Sequence, residues 1–184
     1  MPQQPPKPLI SPEYMALNKR LHADKPSYGA DAAKDAAGIV KFARAADCSC
    51  ILDYGCGKGT LKPAIQAIAP DLRVLEYDPA VEGKDQLPEG EVDLIAAMDV
   101  MEHIEPAYLD AVLHTMAGLR PKLVILKIAL TPAKKNLPDG RNAHILLQPS
   151  AWWFEKLQGF FAVTKCQELP LHFVYIGEPL PIVP

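Results

Sequence analysis

Hydrophobic positions along this chain follow two alternating patterns. Short continuous apolar runs, typical of strands buried in a sheet, are separated by segments whose apolar residues recur every three or four positions, as on one face of a helix. The predicted strands cover residues 48–54, 72–78, 91–98, 122–130, 161–169 and 172–177. The predicted helices cover residues 11–24, 29–46, 61–69, 106–119 and 149–160. This alternation predicts an α/β fold with a parallel sheet covered by helices on both faces.

The last two predicted strands break the alternation. Residues 161–169 and 172–177 have no helix between them, and two strands joined by so short a connection form an antiparallel hairpin. We therefore expect a mostly parallel sheet with an antiparallel C-terminal strand.

Proline marks the ends of the chain. The 19 prolines are about twice the share that an average protein has, and several of them cluster at the two ends of the chain. This clustering predicts a flexible, Pro-rich tail over residues 1–10. A helix should follow, with Ser11 as its N-cap and Pro12 at its first position. We expect a single domain over residues 11–184.

The composition is that of an ordinary globular domain. The chain has 184 residues, 49% of them apolar, and a net charge of −3, so it has no overall attraction for nucleic acid or anionic membrane. No apolar run approaches the ~18 residues of a membrane span, and the N-terminus has no signal-peptide pattern. The four cysteines form no paired C-x-x-C units, which favours reduced thiols. These features predict a cytoplasmic protein.

A glycine-rich loop follows the first predicted strand, in LDYGCGKGTL. Its glycines are Gly55, Gly57 and Gly59. Thr60 stands where a dinucleotide-binding G-x-G-x-x-G motif has its third glycine, and the spacing of a phosphate loop is also absent. What remains is acidic-x-G-x-G-x-G, which begins at Asp53. Glycines at a strand-to-helix turn let a ligand lie against the backbone, and amides at the helix start can receive a carboxylate.

An acidic residue also ends the second predicted strand. Asp78 lies about 25 positions beyond Asp53, where doubly wound folds use a carboxylate to bind the adjacent hydroxyls of a ribose. The glycine loop and Asp78 together predict a ligand that contains a ribose.

Three segments, LDYGCGKG, EYDP and VDLIAAMDVMEHI, resemble the first, second and fourth strand motifs of class I S-adenosylmethionine-dependent methyltransferases. The resemblance covers roughly residues 30–176, and HFVYIG resembles the antiparallel final hairpin of that family. It implies a doubly wound, Rossmann-like sheet, S-adenosylmethionine as cofactor and a methyltransferase activity. Only about 15 residues separate Asp78 from Asp93, so the family's third strand must be shortened or absent.

The resemblance also implies roles for single residues. The glycine loop would pack under the methionine part of the cofactor, Asp53 would help hold its amino group, and Asp78 would bind its ribose. Asp85 or Gln86 would contact the adenine. The expected cofactor-binding residues are Asp53, Gly55, Cys56, Gly57, Asp78, Pro79, Asp85 and Met98.

The segment DVMEHIEP carries candidate catalytic groups. Asp99, Glu102 and His103 stand at i, i+3 and i+4, so a helix there would project all three to one face. His144, on the loop after the 122–130 strand, opens onto the same end of the sheet. We expect His103, His144 and Glu102 to act on the methyl acceptor without a metal.

Two alternatives remain open for these residues. Small-RNA 3′-end methyltransferases and O-methyltransferases of quinone biosynthesis present a similar group, which implies a divalent cation held by Asp99, Glu102, His103 and His144. The other alternative is a purely structural role. Of these hypotheses, a metal site is less favoured than a site in which His103 and His144 contact the acceptor without a metal.

The acceptor is predicted by elimination. The chain lacks the Asn/Asp-Pro-Pro-aromatic motif of amino-group methylation and the Pro-Cys nucleophile of cytosine methylation. We expect methyl transfer to an oxygen or nitrogen of a small molecule. The alternatives are metal-assisted methylation of an RNA or other nucleic acid end and a non-catalytic cofactor-binding module. Lids are common in this fold, so residues 11–28 are expected to form a helical lid, with His22 and Tyr28 near the acceptor.

Overall fold

The computed structural model describes residues 8–25 and 27–180. The flexible tail predicted for residues 1–10 therefore lies largely outside the described residues. The strands are β1 (Cys50–Tyr54), β2 (Arg73–Tyr77), β3 (Leu94–Met98), β4 (Leu123–Ala129), β5 (Phe161–Glu168) and β6 (His172–Pro179). The helices are α1 (Pro12–Asp24), α2 (Ala36–Ala45), α3 (Leu61–Ile68), α4 (Leu109–Gly118) and α5 (Ser150–Gln158).

The six strands form one sheet in the order β2-β1-β3-β4-β6-β5. The first four are parallel, β6 runs antiparallel to β4, and β5 runs antiparallel to β6. This confirms the predicted α/β fold with a doubly wound, Rossmann-like sheet and an antiparallel C-terminal strand. No strand forms in residues 78–93, so β2 is an edge strand and the family's third strand is absent.

Helices cover both faces of this sheet because each turns one apolar side toward it. α4 and α5 pack on one face through Val112 and Trp153, and α2 and α3 pack on the other through Ile39 and Ile65. Strand β4 is buried along its whole length, as expected for a strand covered on both faces. None of the described helices is both long and apolar enough to span a membrane.

The helix predicted for residues 29–46 begins later than its sequence pattern suggests. Ala32–Asp35 form a 3-10 turn, and α2 starts only at Ala36. Gly29 has φ +70°, and its carbonyl accepts a hydrogen bond from the amide of Lys58 at 2.9 Å. The segment before α2 is therefore held against the glycine loop and cannot extend the helix.

Helix α1 packs against the loop that joins β4 to α5. Their contact is a small separate core of four buried residues: Tyr14, Leu21, Leu137 and Ala143. Ser11 caps α1 as predicted, since its Oγ accepts a hydrogen bond from the amide of Tyr14 at 3.1 Å. The amide and hydroxyl of Ser11 also donate to the Glu105 carboxylate, each at 2.8 Å. α1 is thus tied to the segment that follows β3.

Candidate active site

A cavity of about 490 Å³ opens at the carboxyl ends of the parallel strands. It lies where the strand order reverses, between β1 and β3, which is the position at which doubly wound sheets bind ligands. The turns after β1, β2 and β3 form part of its wall, and α1, residues 27–34, the loop after β4 and the start of β6 contribute other parts. Its volume is typical of sites for small molecules.

The glycines of the loop are required by two close approaches. A Cβ on Gly57 would lie 2.7 Å from the carbonyl oxygen of Gly29, and a Cβ on Gly55 would lie 2.6 Å from the methyl groups of Val100. Both glycines line the cavity, and so does Cys56 between them. Burial raises the pKa of the Cys56 thiol, so this residue is an unreactive part of the wall.

Asp78 is held in one orientation at the end of β2. Its Oδ2 accepts a hydrogen bond from the amide of Gly57 at 3.0 Å, and its Oδ1 accepts from the amide of Ala80 at 2.9 Å. Asp78, Pro79 and Met98 all line the cavity. Each carboxylate oxygen retains a lone pair that can accept a hydroxyl hydrogen.

The other two acidic residues expected at the cofactor lie outside the cavity wall. Asp53 is buried beneath the loop; burial, aided by Glu76, raises its pKa to about 7, and its Oδ2 has no hydrogen-bond partner among the described residues. Asp85 is exposed in a shallow depression that it shares with His22 and Lys58. Neither carboxylate is in a position to touch a ligand in the cavity as it stands.

Two histidines face each other on another part of the wall. The rings of His103 and His144 are 4.7 Å apart and nearly perpendicular. Nδ1 of His103 lies 2.8 Å from the carbonyl oxygen of Ala143, and Nδ1 of His144 lies 2.6 Å from that of Thr131. Because a carbonyl oxygen can only accept, both Nδ1 atoms carry the proton, and both Nε2 atoms have a free lone pair.

Burial keeps both imidazoles neutral at pH 7. It lowers the pKa of His103 to about 3, with a further contribution from His144. Burial also lowers the pKa of His144. A base is most effective when its pKa is near the working pH, so half-buried His144 is the better proton acceptor of the two.

Glu102 lies directly behind these histidines. It is fully buried, its Oε1 accepts a hydrogen bond from the amide of Ala129 at 3.1 Å, and its Oε2 has no hydrogen-bond partner within the described part of the chain. Burial, aided by Asp99, raises the pKa of Glu102 to about 8, so it is mostly protonated at pH 7. One ligand atom from each of Glu102, His103 and His144 lies within 4.8 Å of the others, so the three could also hold a cation if Glu102 ionised.

Asp99 does not join this group. Only Met101–His103 form a 3-10 turn, so the helix that would align residue 99 with 102 and 103 is not formed. Asp99 has φ +57°, and its Oδ2 lies 2.9 Å from Nζ of Lys127 on β4. Its Oδ1 lies 3.2 Å from Nε2 of His172, the first residue of β6.

Lys127 and His172 are site residues that the sequence analysis missed. A lone lysine inside the apolar run KLVILKIAL was a usable signal, because a buried lysine needs a carboxylate partner. His172 gave no such signal. It reaches the cavity because β6 pairs with β4 in a register that sets His172 opposite Ala129.

Known proteins share this sequence pattern and this fold. A family model described as a methyltransferase domain matches residues 24–165, which is most of the chain. The chain belongs to this methyltransferase family. Its Rossmann-like sheet and sequence motifs make it an enzyme of class I, whose methyl donor is S-adenosylmethionine.

Solved structures similar to this methyltransferase share its fold at low sequence identity. One is 1,6-didemethyltoxoflavin-N1-methyltransferase of Burkholderia thailandensis, with its substrate and S-adenosylhomocysteine bound (17% identity, TM-score 0.65, 95% of this chain and 93% of that one). Another is the DhpI complex with S-adenosylhomocysteine (16% identity, TM-score 0.65, 94% and 100% covered). A third is the methyltransferase domain of bacterial CtHen1 (14% identity, TM-score 0.58, 89% and 100% covered). No curated protein matches the sequence significantly.

Basic residues of the loop after β4 do not form an open cationic surface on the methyltransferase. Arg141 is paired with Asp139 at 2.7 Å, and Nζ of Lys135 donates to the hydroxyl of Ser27 at 2.9 Å. Of the three cations in this loop, Lys134 has no partner among the described residues. A serine hydroxyl does not neutralise a lysine, so Lys134 and Lys135 both keep an uncompensated charge.

Proposed function

We propose that this methyltransferase transfers the methyl group of S-adenosylmethionine to an oxygen or nitrogen atom of a small-molecule acceptor. The observation that carries the proposal is one cavity whose wall contains both the glycine loop with Asp78 and the neutral histidine pair. Its volume of about 490 Å³ suits two small molecules in contact better than a polymer.

The residues present fit the cofactor. The glycine loop leaves room for a ligand backbone, and the fixed Asp78 carboxylate can accept from both ribose hydroxyls. Three buried polar atoms on the wall have no hydrogen-bond partner within the described residues: Tyr14 Oη, His22 Nδ1 and Asp99 Oδ1. This is expected where a bound ligand supplies the missing partners. Asp53 would support the loop from below, and Asp85 would meet the adenine only if the residues after Asp78 move.

The histidine pair supplies the acceptor chemistry. S-adenosylmethionine brings an activated methyl group, so the protein has to align the acceptor, exclude water and remove one proton. His144 Nε2 is free to take that proton from an acceptor O–H or N–H, since its Nδ1–H is held by Thr131. His103 would orient the acceptor by accepting a hydrogen bond at Nε2. The Oε1 atom of Glu102 lies 3.9 Å from His144 Nε2, so in molecules where this carboxyl is already ionised it would stabilise the imidazolium.

Residues 11–28 would serve as the lid that excludes water. Nζ of Lys58 donates to the carbonyl of His22 at 2.7 Å, and the hydroxyl of Tyr28 lies 3.4 Å from Nδ1 of His103. These contacts join the N-terminal segment to the glycine loop and to the histidine pair. Because this attachment buries few apolar residues, the lid can open locally at modest cost.

A second candidate is metal-assisted transfer, including transfer to an RNA end. Metal binding is favoured by the close approach of one ligand atom from each of Glu102, His103 and His144. In each histidine a backbone carbonyl accepts the Nδ1 proton and Nε2 is free, which is the usual arrangement of a metal-binding histidine. Because Asp139 neutralises Arg141, the loop after β4 keeps only two uncompensated lysines, and so few surface charges favour a small acceptor over a nucleic acid.

Calorimetric titration with S-adenosylmethionine, with NAD as the negative ligand, tests the cofactor. We expect binding that Asp78→Ala weakens at least tenfold, because two ribose hydrogen bonds are lost. Glu89→Ala, an exposed acidic residue of the same connection, is the matched control and should bind normally. Binding of NAD in preference to S-adenosylmethionine would refute the proposal.

Transfer of labelled methyl from S-adenosylmethionine to a panel of phenols, catechols and nitrogen heterocycles tests the acceptor class. Each reaction is run with EDTA and with Mg²⁺, Mn²⁺ or Zn²⁺. Turnover in EDTA supports the metal-free reaction. Turnover only with a metal ion, or only on a 3′-terminal RNA probe, would move the second candidate ahead.

A further inference from the structure

A buried set of ion pairs beside the cavity carries more negative than positive charge. Nζ of Lys127 lies 2.5 Å from Oδ2 of Asp35 and 2.9 Å from Oδ2 of Asp99. The lysine side chain is 8% exposed, and the two carboxylates are about one quarter exposed. One lysine cannot neutralise two carboxylates, and an unbalanced charge in such surroundings is unfavourable unless a further cation meets it.

The unbalanced charge is accessible at Asp99. Asp99 lines the cavity, whereas Asp35 is not part of its wall. Oδ1 of Asp99 is buried and accepts no hydrogen bond from the described residues. The nearest basic atom is Nε2 of His172 at 3.2 Å, which carries a charge only when that ring is protonated. A buried acceptor of this kind is expected to be met by a ligand.

The backbone holds Asp99 beside the glycine loop. Its amide donates to the carbonyl of Lys127 at 2.7 Å, and its φ of +57° is a conformation that few non-glycine residues adopt and that recurs at ligand sites. The next residue, Val100, packs so closely on Gly55 that a Cβ there would meet it at 2.6 Å. Asp99 therefore lies between the glycine loop on one side and His172 on the other.

A cofactor bound along the glycine loop, with its methyl group toward the histidine pair, would bring its sulfur close to Asp99, since Asp99 and both histidines line the same cavity. The methyl group passes from the cofactor to the acceptor, so the sulfur is found where the cofactor part of the cavity meets the histidine part. We propose that Asp99 recognises the positive charge of the sulfonium and so distinguishes S-adenosylmethionine from S-adenosylhomocysteine. This inference rests on the proposed function, since it concerns the same cofactor.

The reaction removes the charge that Asp99 recognises. The acceptor lone pair forms the new bond to the methyl carbon, the carbon–sulfur bond breaks, and its electron pair stays on sulfur. The sulfonium becomes a neutral thioether, and the acceptor proton goes to His144. Asp99 then keeps only Lys127, which it shares with Asp35, so the product cofactor is held less tightly than the substrate cofactor, which favours product release.

The proposed recognition of the sulfonium by Asp99 is tested by measuring how tightly Asp99→Asn binds three ligands. Asparagine keeps the shape and tolerates the left-handed backbone, so only the charge is removed. Dissociation constants are measured by calorimetry at pH 8 for S-adenosylmethionine, S-adenosylhomocysteine and sinefungin, an analogue with an ammonium group in place of the sulfonium. We expect Asp99→Asn to weaken the two cationic ligands about tenfold and S-adenosylhomocysteine less than twofold.

A control and a second variant complete the test. Asp71→Asn removes the same charge just before β2, at the opposite edge of the sheet, and should leave the ratio of the two affinities unchanged. Asp35→Asn leaves Lys127 to neutralise Asp99 alone, so it should lower the preference for S-adenosylmethionine about threefold even if Asp99→Asn does not fold. Thermal unfolding checks the fold of each variant.

Several results would overturn the inference. Equal weakening of all three ligands in Asp99→Asn would mean that Asp99 only supports the cavity, and unchanged binding would mean that it does not face the cofactor. A wild-type protein that binds neither S-adenosylmethionine nor S-adenosylhomocysteine would instead refute the proposed function itself.

Discussion

Two backbone carbonyls decide which atoms of His103 and His144 are available for chemistry. Ala143 and Thr131 each accept the Nδ1 proton of one ring, so both rings present Nε2 as a base. Burial lowers the pKa of His103 to about 3 and also lowers the pKa of His144. A pKa of about 3 makes His103 a poor base, which supports the proposed division of roles, with His144 taking the proton and His103 orienting the acceptor.

Replacing His144 should separate proton removal from cofactor binding. We expect His144→Gln to lower kcat about 10²-fold with the best acceptor of the panel, because an amide cannot take the proton, while the Kd of S-adenosylmethionine stays the same. His114→Gln is the matched control, since His114 packs on Phe160 away from the cavity. A loss of cofactor affinity equal to the loss of kcat would contradict the assignment.

The buried carboxyl of Glu102 makes stability depend on pH. Its folded pKa of about 8 lies above the ordinary value of 4.5, so the folded protein keeps a proton that the unfolded chain releases between these values. The free energy of unfolding therefore falls as pH rises through this window. In urea unfolding with EDTA, Glu102→Gln should gain roughly 3 kcal/mol relative to wild type between pH 5 and pH 8. A constant difference would mean that Glu102 is already ionised.

At the scale of elements, the glycine loop packs directly against the segment that follows α1. Gly57 and Gly29 meet backbone to backbone, and the amide of Lys58 donates to Gly29. The segment that leads from α1 to α2 thus forms one wall of the cavity and meets the cofactor loop directly. Opening of the lid and loosening of the loop should be coupled for this reason.

A pair of glycine variants measures that contact. Gly57 and Gly83 both have positive φ, but a Cβ on Gly57 would meet Gly29 at 2.7 Å, whereas a Cβ on Gly83 would have nothing within 4 Å. Gly83→Ala should cost about 1 kcal/mol of stability from the backbone conformation alone and leave cofactor affinity unchanged. Gly57→Ala should cost more and weaken S-adenosylmethionine binding at least tenfold. Equal effects would mean that the contact with Gly29 is dispensable.

At the scale of the whole molecule, the candidate active site and a cluster of stabilising contacts lie at opposite ends of the parallel strands. The carboxyl edge carries the cavity, the orphaned polar atoms and the strained Asp99. The amino edge is tied by Asp93, whose carboxylate accepts hydrogen bonds from the amides of Ser49 and Cys50 at 2.8 and 3.1 Å and pairs with Lys122 at 3.2 Å. These contacts fasten the starts of three neighbouring strands together.

Asp93 should contribute to stability in a pH-dependent way. The amide of Ser49, its hydroxyl and Lys122 hold the pKa of Asp93 well below its ordinary value. The contribution is therefore complete above the unfolded pKa of about 4 and is lost as pH falls below it. Asp93→Asn should cost about 1 kcal/mol at pH 7, and this difference should shrink in urea unfolding at pH 3. A difference that persists at pH 3 would show that the ionised form is not what matters.

Much of the architecture was predictable because it depends on local pattern. Alternation of strand and helix periods predicted the doubly wound sheet, and the missing helix between the last two strands predicted the antiparallel hairpin. The short spacing between Asp78 and Asp93 predicted that the family's third strand is shortened or absent, and the structure has no strand there. The glycine loop and Asp78 were predictable as parts of one site because the ends of neighbouring parallel strands always meet at one edge.

The sequence by itself determined the fold class and the residues at the strand ends, since these follow from periodicity and from spacing within single β-α units. It also indicated the family, through the resemblance of three motifs to those of known methyltransferases. Only the tertiary structure decided that Asp99 turns to Lys127, that His172 joins the cavity, and that His103 and His144 share one tautomer. Each of these contacts joins segments far apart in the chain, through strand register and the packing of loops. Side-chain period and motif spacing carry no information about such contacts, because they are set only when the whole chain has folded.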